Sequence, residues 1–298
     1  MTSRIWILAA LALALAPLPG GPRLHAQEPV SPPSVSWEPA RPMQGTLFTV
    51  TVASHAGLAA VAGRFAGEPL HFRRGGDGGW WAPAAVPVDS AGELTLEVQL
   101  TGAGGGTTPI ERPVPIAPGT YPMERLTVAP QFGEPLSPAL ARRTADESAR
   151  ALRVARGAHA TAPLAGPADF VRPRPSRITS GFGGGRQFNG QVQSRHAGTD
   201  FQGAVGDPVL AAAPGMVMLT DAFYLGGNVV YVDHGGGLSS GYLHLSETLV
   251  AAGDTVAAGQ RIGSVGATGR VTGPHLHWIL RYGSVTVDPL SVFGLDAR

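Results

Sequence analysis

NVVYVDHGGGLSSGYLHL, residues 228–245, consists of two apolar runs separated by Gly235, Gly236 and Gly237. Each run has the length of a strand and is rich in Val, Tyr and Leu, and the glycines mark a tight reversal between them. The same pattern recurs from Ile178 to Leu295, in GMVMLTDAF, QRIGSVG, HLHWILR and SVTVDP, with little helical periodicity. Short strands joined by glycine turns predict an antiparallel β-sheet or sandwich over residues 173–298. GDPVLAAAPGMV (206–217) and GDTVAAGQRIGSVG (253–266) each begin Gly-Asp-x-Val and lead into an apolar strand, which hints at an internal duplication.

Upstream the β pattern continues. In ELTLEVQL (93–100), Leu94, Leu96, Val98 and Leu100 alternate with Glu93, Thr95, Glu97 and Gln99, the signature of a half-buried strand. TLFTVTV (46–52) has the same period through Phe48, Val50 and Val52, and RRGGDGG (73–79) supplies a turn. A small Ig-like β-sandwich is expected over 27–117. A linker with one helix is expected over 118–172, starting at Ser137-Pro138 as N-cap and first turn and stopping at Gly157. Its Arg142/Asp146, Arg143/Glu147 and Asp146/Arg150 pairs, each four apart, read as support for a solvated helix. RPRPSR (172–177) marks the boundary with the C-terminal part. The fold class is therefore mainly β.

Composition narrows the function. With 42 Gly and 27 Pro in 298 residues, a helical bundle is disfavoured. A net charge of +1 and 14% charged residues leave no electrostatic footprint for nucleic acid. Cysteine is absent, which excludes disulfides, a thiol nucleophile and a lipid-bearing cysteine. Residues 1–26 carry Arg4, an apolar run from Ile5 to Leu18 and a small-residue approach to Ala26. That order predicts a secretory signal cut between Ala26 and Gln27, with no stable membrane insertion afterwards.

Of the 9 histidines, five fall in the last hundred or so residues: His196, His234, His244, His275 and His277. His55, His71 and His159 stand alone in sequence and read as ordinary. His275 and His277, in GPHLHW (273–278), share a strand face with Cα atoms roughly 6.6 Å apart, so both rings can reach one site. In RHAGTDF (195–201) His196 and Asp200 are four apart, about 13 Å on a straight strand, and a bend at Gly198 is needed to unite them. Two imidazoles and a carboxylate are a normal zinc ligand set with a fourth position left open. His244, in GYLHLS (241–246), is a candidate second catalytic histidine, and His234 reads as structural.

SRITSGFGGGRQFNGQVQSRHAGTDFQGAVGDPVLAAAPGMVML, GGNVVYVDHGGGLSSGYLHLS and VAAGDTVAAGQRIGSVGATGRVTGPHLHW resemble, in order, successive blocks of the lysostaphin/LytM-type zinc endopeptidases, a duplicated hybrid motif fold. The resemblance covers about 175–291. It implies that His196, Asp200 and His277 hold one Zn2+ per chain. It further implies that His275 is the general base and His244 the second catalytic histidine, an assignment within HxH that spacing alone leaves open. It also implies hydrolysis of stem-peptide cross-links in bacterial peptidoglycan, in the periplasm or outside the cell. SGFGGG (180–185) and GATGRVTG (266–273) are expected to wall a narrow groove. Three rivals are a zinc-free cell-wall-binding or amidase-activating module, a lipoyl-type carrier and a glycyl-glycine endopeptidase. The complete ligand set argues against the first; the second lacks a modifiable lysine in GDTVAAGQRIGSVG. The segment before 172 holds no ligand set and is expected to space the peptidase or to bind a regulatory protein partner, with at most mild inhibition.

Overall fold

Along 93–100, Leu96, Val98 and Leu100 are buried while Glu93, Thr95, Glu97 and Gln99 face solvent, so the alternation sets one face of a sheet against a core. In the computed structural model, which describes residues 33–53 and 57–295, that strand is the centre of a four-stranded antiparallel sheet. Its neighbours are Leu58–Phe65 and Thr107–Pro115, with Glu68–Leu70 at the edge. A second antiparallel sheet runs Ser34–Glu38, Leu47–Ala53, Trp80–Ala85, Arg73–Arg74. The two meet at Phe48 and Phe65, whose rings pack edge to face with centroids 5.0 Å apart. The signal expected at 1–26 and the histidines at 25 and 55 lie outside the described residues.

Leu47–Ala53 departs from simple alternation, because Leu47 and Thr49 are buried together with Phe48, Val50 and Val52. The outer face of this strand is covered by the C-terminal 3-10 turn Pro289–Gly294, and the Leu47 N–H donates to Ser291 Oγ at 3.0 Å. The upstream sandwich and the C-terminal part consequently share one apolar cluster, from Phe48 through Trp278 to Val292.

The segment expected to link them is built into the structure as well. Met123–Leu126 adds as a parallel strand to Gly185–Phe188, which pairs antiparallel with Val192–Arg195. The helix Pro138–Gly157 begins as expected, with Ser137 Oγ accepting from the Leu140 N–H, but runs through Gly157. It is not solvated all round. Ala151 and Val154 pack on Phe223, Val229, Tyr231, Leu243 and Ile279, and Ala155 is buried too. Arg143 pairs with Glu147 at 2.7 Å, whereas Arg150 reaches Asp221 across the interface instead of Asp146. Alanines make a flat face that fits closely on a sheet but gives only a weak apolar stripe in sequence.

The central sheet has eight strands, in agreement with the antiparallel expectation. Ile178–Ser180, Thr199–Gln202, His275–Tyr282, Leu238–Leu245, Gly227–Gly235, Gly215–Phe223 and Thr255–Val256 lie in that order, and Val285–Val287 pairs with the end of His275–Tyr282. All pairings are antiparallel. One face buries Phe201, Tyr242, Leu276, Trp278 and Leu280 in the shared core, and a three-stranded sheet (Pro208–Leu210, Arg261–Ser264, Glu247–Thr248) adds Val209 and Ile262 to it. The opposite face carries Leu243 and Ile279 under the helix. The Gly235–Gly237 turn has positive φ at every position, and a Cβ on Gly235 would run into the Ala162 carbonyl. The two Gly-Asp repeats are the same turn made twice: Asp207 accepts from Ala204 N–H and Asp254 from Ala251 N–H, both at 2.8 Å. Among the described residues no helix is long and apolar enough to cross a membrane.

Candidate metal centre

Register decides which side chains share the face opposite the core. Asp200 pairs with His277 and Gln202 with His275, while Leu243 pairs with His277 on the other side. Paired residues project to the same side of a sheet, so His275, His277 and Asp200 stand together. His196 arrives from outside the sheet. The chain leaves Val192–Arg195 and enters Thr199–Gln202 through Ala197-Gly198, the bend that the His196/Asp200 spacing requires. Glycine is needed at that bend, since a Cβ on Gly198 would collide with the Trp278 carbonyl and stand 2.9 Å from His277 Nε2.

The donor atoms converge. His196 Nε2 lies 3.0 Å from Asp200 Oδ1 and 3.0 Å from His277 Nδ1, and His277 Nδ1 lies 2.7 Å from Asp200 Oδ1. The three residues are 1%, 5% and 7% exposed, which keeps bulk water from competing for their lone pairs. Two of the three orientations are fixed from behind. His196 Nδ1 donates to the Gly181 carbonyl at 2.6 Å, which assigns its proton there and leaves Nε2 as a bare acceptor. Asp200 Oδ2 accepts from Arg186 at 2.7 Å, leaving Oδ1 for the cluster. Arg186 is held in turn by Glu124 at 3.0 Å and Ser180 Oγ at 2.8 Å. Burial raises the Asp200 carboxyl, but the adjoining His196 and His277 outweigh it and hold the group well below the usual carboxylate range. Burial pushes His277 down to about 4, so its ring is neutral at physiological pH. Two imidazole nitrogens and one carboxylate oxygen, all within 4.8 Å, form a donor set that can hold a metal ion. Among the described residues no other group of this kind occurs.

His244 joins the site by a route that sequence alternation does not reveal. A regular strand would turn it to the core face, away from Leu243. Leu243 and His244 together oppose Val229, a bulge, and His244 has φ +64. The extra residue and the left-handed backbone swing the ring to the ligand side, 4.9 Å from the His275 ring and 5.8 Å from that of His277. Its Nδ1 donates to the Thr268 carbonyl at 2.8 Å, and burial followed by the charges of His275 and His277 hold it well below the usual imidazole range. His275 Nδ1 donates to the Gly273 carbonyl at 2.8 Å, with Nε2 3.7 Å from Asp200 Oδ1. Both rings are thus tethered at Nδ1 and carry a bare Nε2.

The five candidate site residues are therefore gathered in one place. His234 lies elsewhere: buried, lowered to about 4 by burial, and spent on the Pro214 carbonyl and Ser240 Oγ. His71 and His159, which stand alone in sequence, do not stand alone in the fold. They hydrogen-bond to each other at 2.8 Å, and His159 bonds Glu68 at 2.8 Å. Sequence reasoning missed Arg186, Glu124 and Ser180, whose residue types carry no signal until the strand Met123–Leu126 is placed beside Gly185–Phe188. Of the two loops expected to wall a groove, 266–273 lines the cleft with Arg270, Val271, Thr272 and Gly273. From 180–185 Ser180 alone lines it, and Phe182 is buried beneath Tyr121.

Residues 194–289, which contain all five of these residues, match the model of peptidase family M23. The chain carries an M23 peptidase domain. Peptidoglycan DD-endopeptidase ShyC of Vibrio cholerae is 39% identical over 131 residues, 43% of this chain and 29% of ShyC. Peptidoglycan DD-endopeptidase ShyA of the same organism is 49% identical over 85 residues, 28% of this chain and 20% of ShyA. The chain thus spans less than a third of the length of these curated relatives. A crystal structure from Pseudomonas aeruginosa, assigned to peptidase M23, superposes with a TM-score of 0.65 at 26% identity, covering 85% of this chain and 96% of that one. With 85% of the chain covered, that likeness reaches well upstream of residues 194–289.

Proposed function

We propose that the chain is an exported zinc-dependent endopeptidase that hydrolyses peptide cross-links of bacterial peptidoglycan, acting in the periplasm or at the cell wall. One observation carries this reading: His196 Nε2, Asp200 Oδ1 and His277 Nδ1 converge beside two histidines whose Nε2 atoms are bare. The DD-endopeptidase names of ShyC and ShyA support the substrate class. His196, Asp200 and His277 would hold the zinc, which when bound supplies Lewis acidity to a water and to the scissile carbonyl.

The remaining roles belong to the chain. His275, with its ring held by the Gly273 carbonyl, accepts the proton of the attacking water at Nε2 and returns it to the leaving amine. His244, tethered to the Thr268 carbonyl with its ring 4.9 Å from that of His275, orients the same water through Nε2. Arg186 pairs with Asp200 Oδ2 and directs Oδ1 inward. A zinc-free binding module would have no use for buried imidazoles poised in this way. Digestion of purified sacculi by zinc-loaded residues 27–298, followed by mass spectrometry, should release muropeptides with intact glycan and severed cross-links. An undiminished cross-linked fraction would overturn the reading.

A further inference from the structure

The cleft beside the ligands has two halves that share a wall. Thr272, His275 and Asp200 line one half and His196, His244 and His277 the other; Arg186, Phe188 and Arg270 line both. Arg186 is committed to Glu124, Ser180 and Asp200. Arg195, also on the wall, pairs with Asp89 at 2.7 Å. Arg270 differs from both. Among the described residues its guanidinium meets no carboxylate and no hydrogen-bond acceptor, only the ring of Phe188, with Cζ 4.0 Å from the ring centroid.

That stacking matters for what the cation can do. Phe188 fixes the plane of the guanidinium, and a stacked guanidinium keeps its N–H edge free for a ligand in the same plane. The backbone is pinned too, since the Arg270 N–H donates to the Leu225 carbonyl at 2.9 Å. Burial, and then the neighbouring charge of Arg186, disfavour the cation in this wall, so an arriving anion would gain more there than at an open surface. Because the residue spans both halves, a peptide laid along the cleft passes its N–H edge close to the reacting centre.

We propose that Arg270 is a specificity-determining residue that binds a free carboxylate of the substrate peptide next to the scissile bond. The inference rests on the peptidase reading given above. A planar carboxylate accepts two parallel hydrogen bonds from a guanidinium, and a carboxamide of equal size cannot, so the enzyme selects peptides that are acidic at that point.

The test uses zinc-loaded full-length protein and purified cross-linked muropeptide dimers. The same dimers, with their free carboxylates converted to carboxamides by carbodiimide and ammonium, form the second substrate. Wild type should cleave the free acids with kcat/KM about tenfold or more above the amides, the size of effect expected of a charge-assisted hydrogen bond. Arg270→Gln should bring the acids down to the level of the amides, mainly through KM, with zinc content unchanged, and Arg270→Lys should keep part of the preference. Equal cleavage of both substrates by wild type would overturn the assignment while leaving the peptidase reading intact. So would an Arg270→Gln protein that slows both substrates equally and keeps the preference. If wild type cleaves neither, the peptidase reading fails and takes this one with it.

Discussion

His277 and His275 lie two residues apart on one strand face, yet their surroundings differ, and the roles proposed for them differ accordingly. His277 Nδ1 is within 3.0 Å of both other donor atoms, whereas His275 approaches no closer to Asp200 than 3.7 Å. His277→Ala should therefore lose zinc and activity together. His275→Ala should keep zinc while kcat falls by roughly 10²–10⁴-fold, the usual loss for a general base. Zinc content measured beside kcat on the same preparations checks both, and equal zinc loss in the two variants would reverse the assignment. The sequence made this site partly legible. HxxxD and HxH name the residue types and demand a bend at Gly198, but not which ring nitrogen faces inward. That depends on the Gly181, Thr268 and Gly273 carbonyls, and backbone carbonyls leave no trace in a side-chain pattern.

At the scale of single elements, the bulge at Leu243-His244 is the feature that alternation would misplace. The left-handed backbone costs an L-residue roughly 1–2 kcal/mol and costs glycine almost nothing. His244→Gly should consequently be more stable than His244→Ala by about 1 kcal/mol, reversing the order normal for a strand, with both variants inactive. Thermal melts of the pair decide it, and an Ala variant as stable as the Gly variant would mean that the bulge relaxes. The strand Met123–Leu126 raises a second expectation. It carries Glu124, which holds Arg186 against Asp200, and the alanine face of Pro138–Gly157 covers Ile279 and Leu243. Residues 172–298 alone should bind zinc more weakly and melt lower than residues 27–298, as read by metal titration and calorimetry. Equal affinity and melting point would show that the upstream elements are dispensable. Loop-like composition around 118–172 hid these contacts, because a short edge strand and an alanine face both lack a strong apolar period.

Across the whole molecule, the residues lining the two halves of the cleft begin at Glu124, so none comes from the sandwich at 33–117. This favours support of the peptidase over a cover for it. The junction itself is polar on one side, where Glu68 of the sandwich bonds His159 and Ser284, and His159 in turn bonds His71 and packs edge-on against Tyr282. Burial, with the charge of His159 second, lowers His71 from 6.5. Burial raises Glu68, but hydrogen bonds from Ser284 and His159 outweigh it and leave the carboxyl below its ordinary 4.5. In both cases the unfolded chain takes up a proton more readily than the folded one. Stability should thus fall as pH drops below about 6.5 through His71 together with His234, His244 and His277, and fall further below about 4.5 through Glu68. His71→Gln should flatten the first part of that loss, and a melting temperature with unchanged pH dependence would contradict the assignment.

The pairing of Asp200 with His277 has one more consequence. Sliding Thr199–Gln202 by a single residue along His275–Tyr282 would send Asp200 into the core and bring Phe201 out to the donor face. A mispaired chain would therefore forfeit its ion as well as its packing. Metal uptake during refolding can serve as an error check on assembly, counting the molecules whose strands have found the right partners.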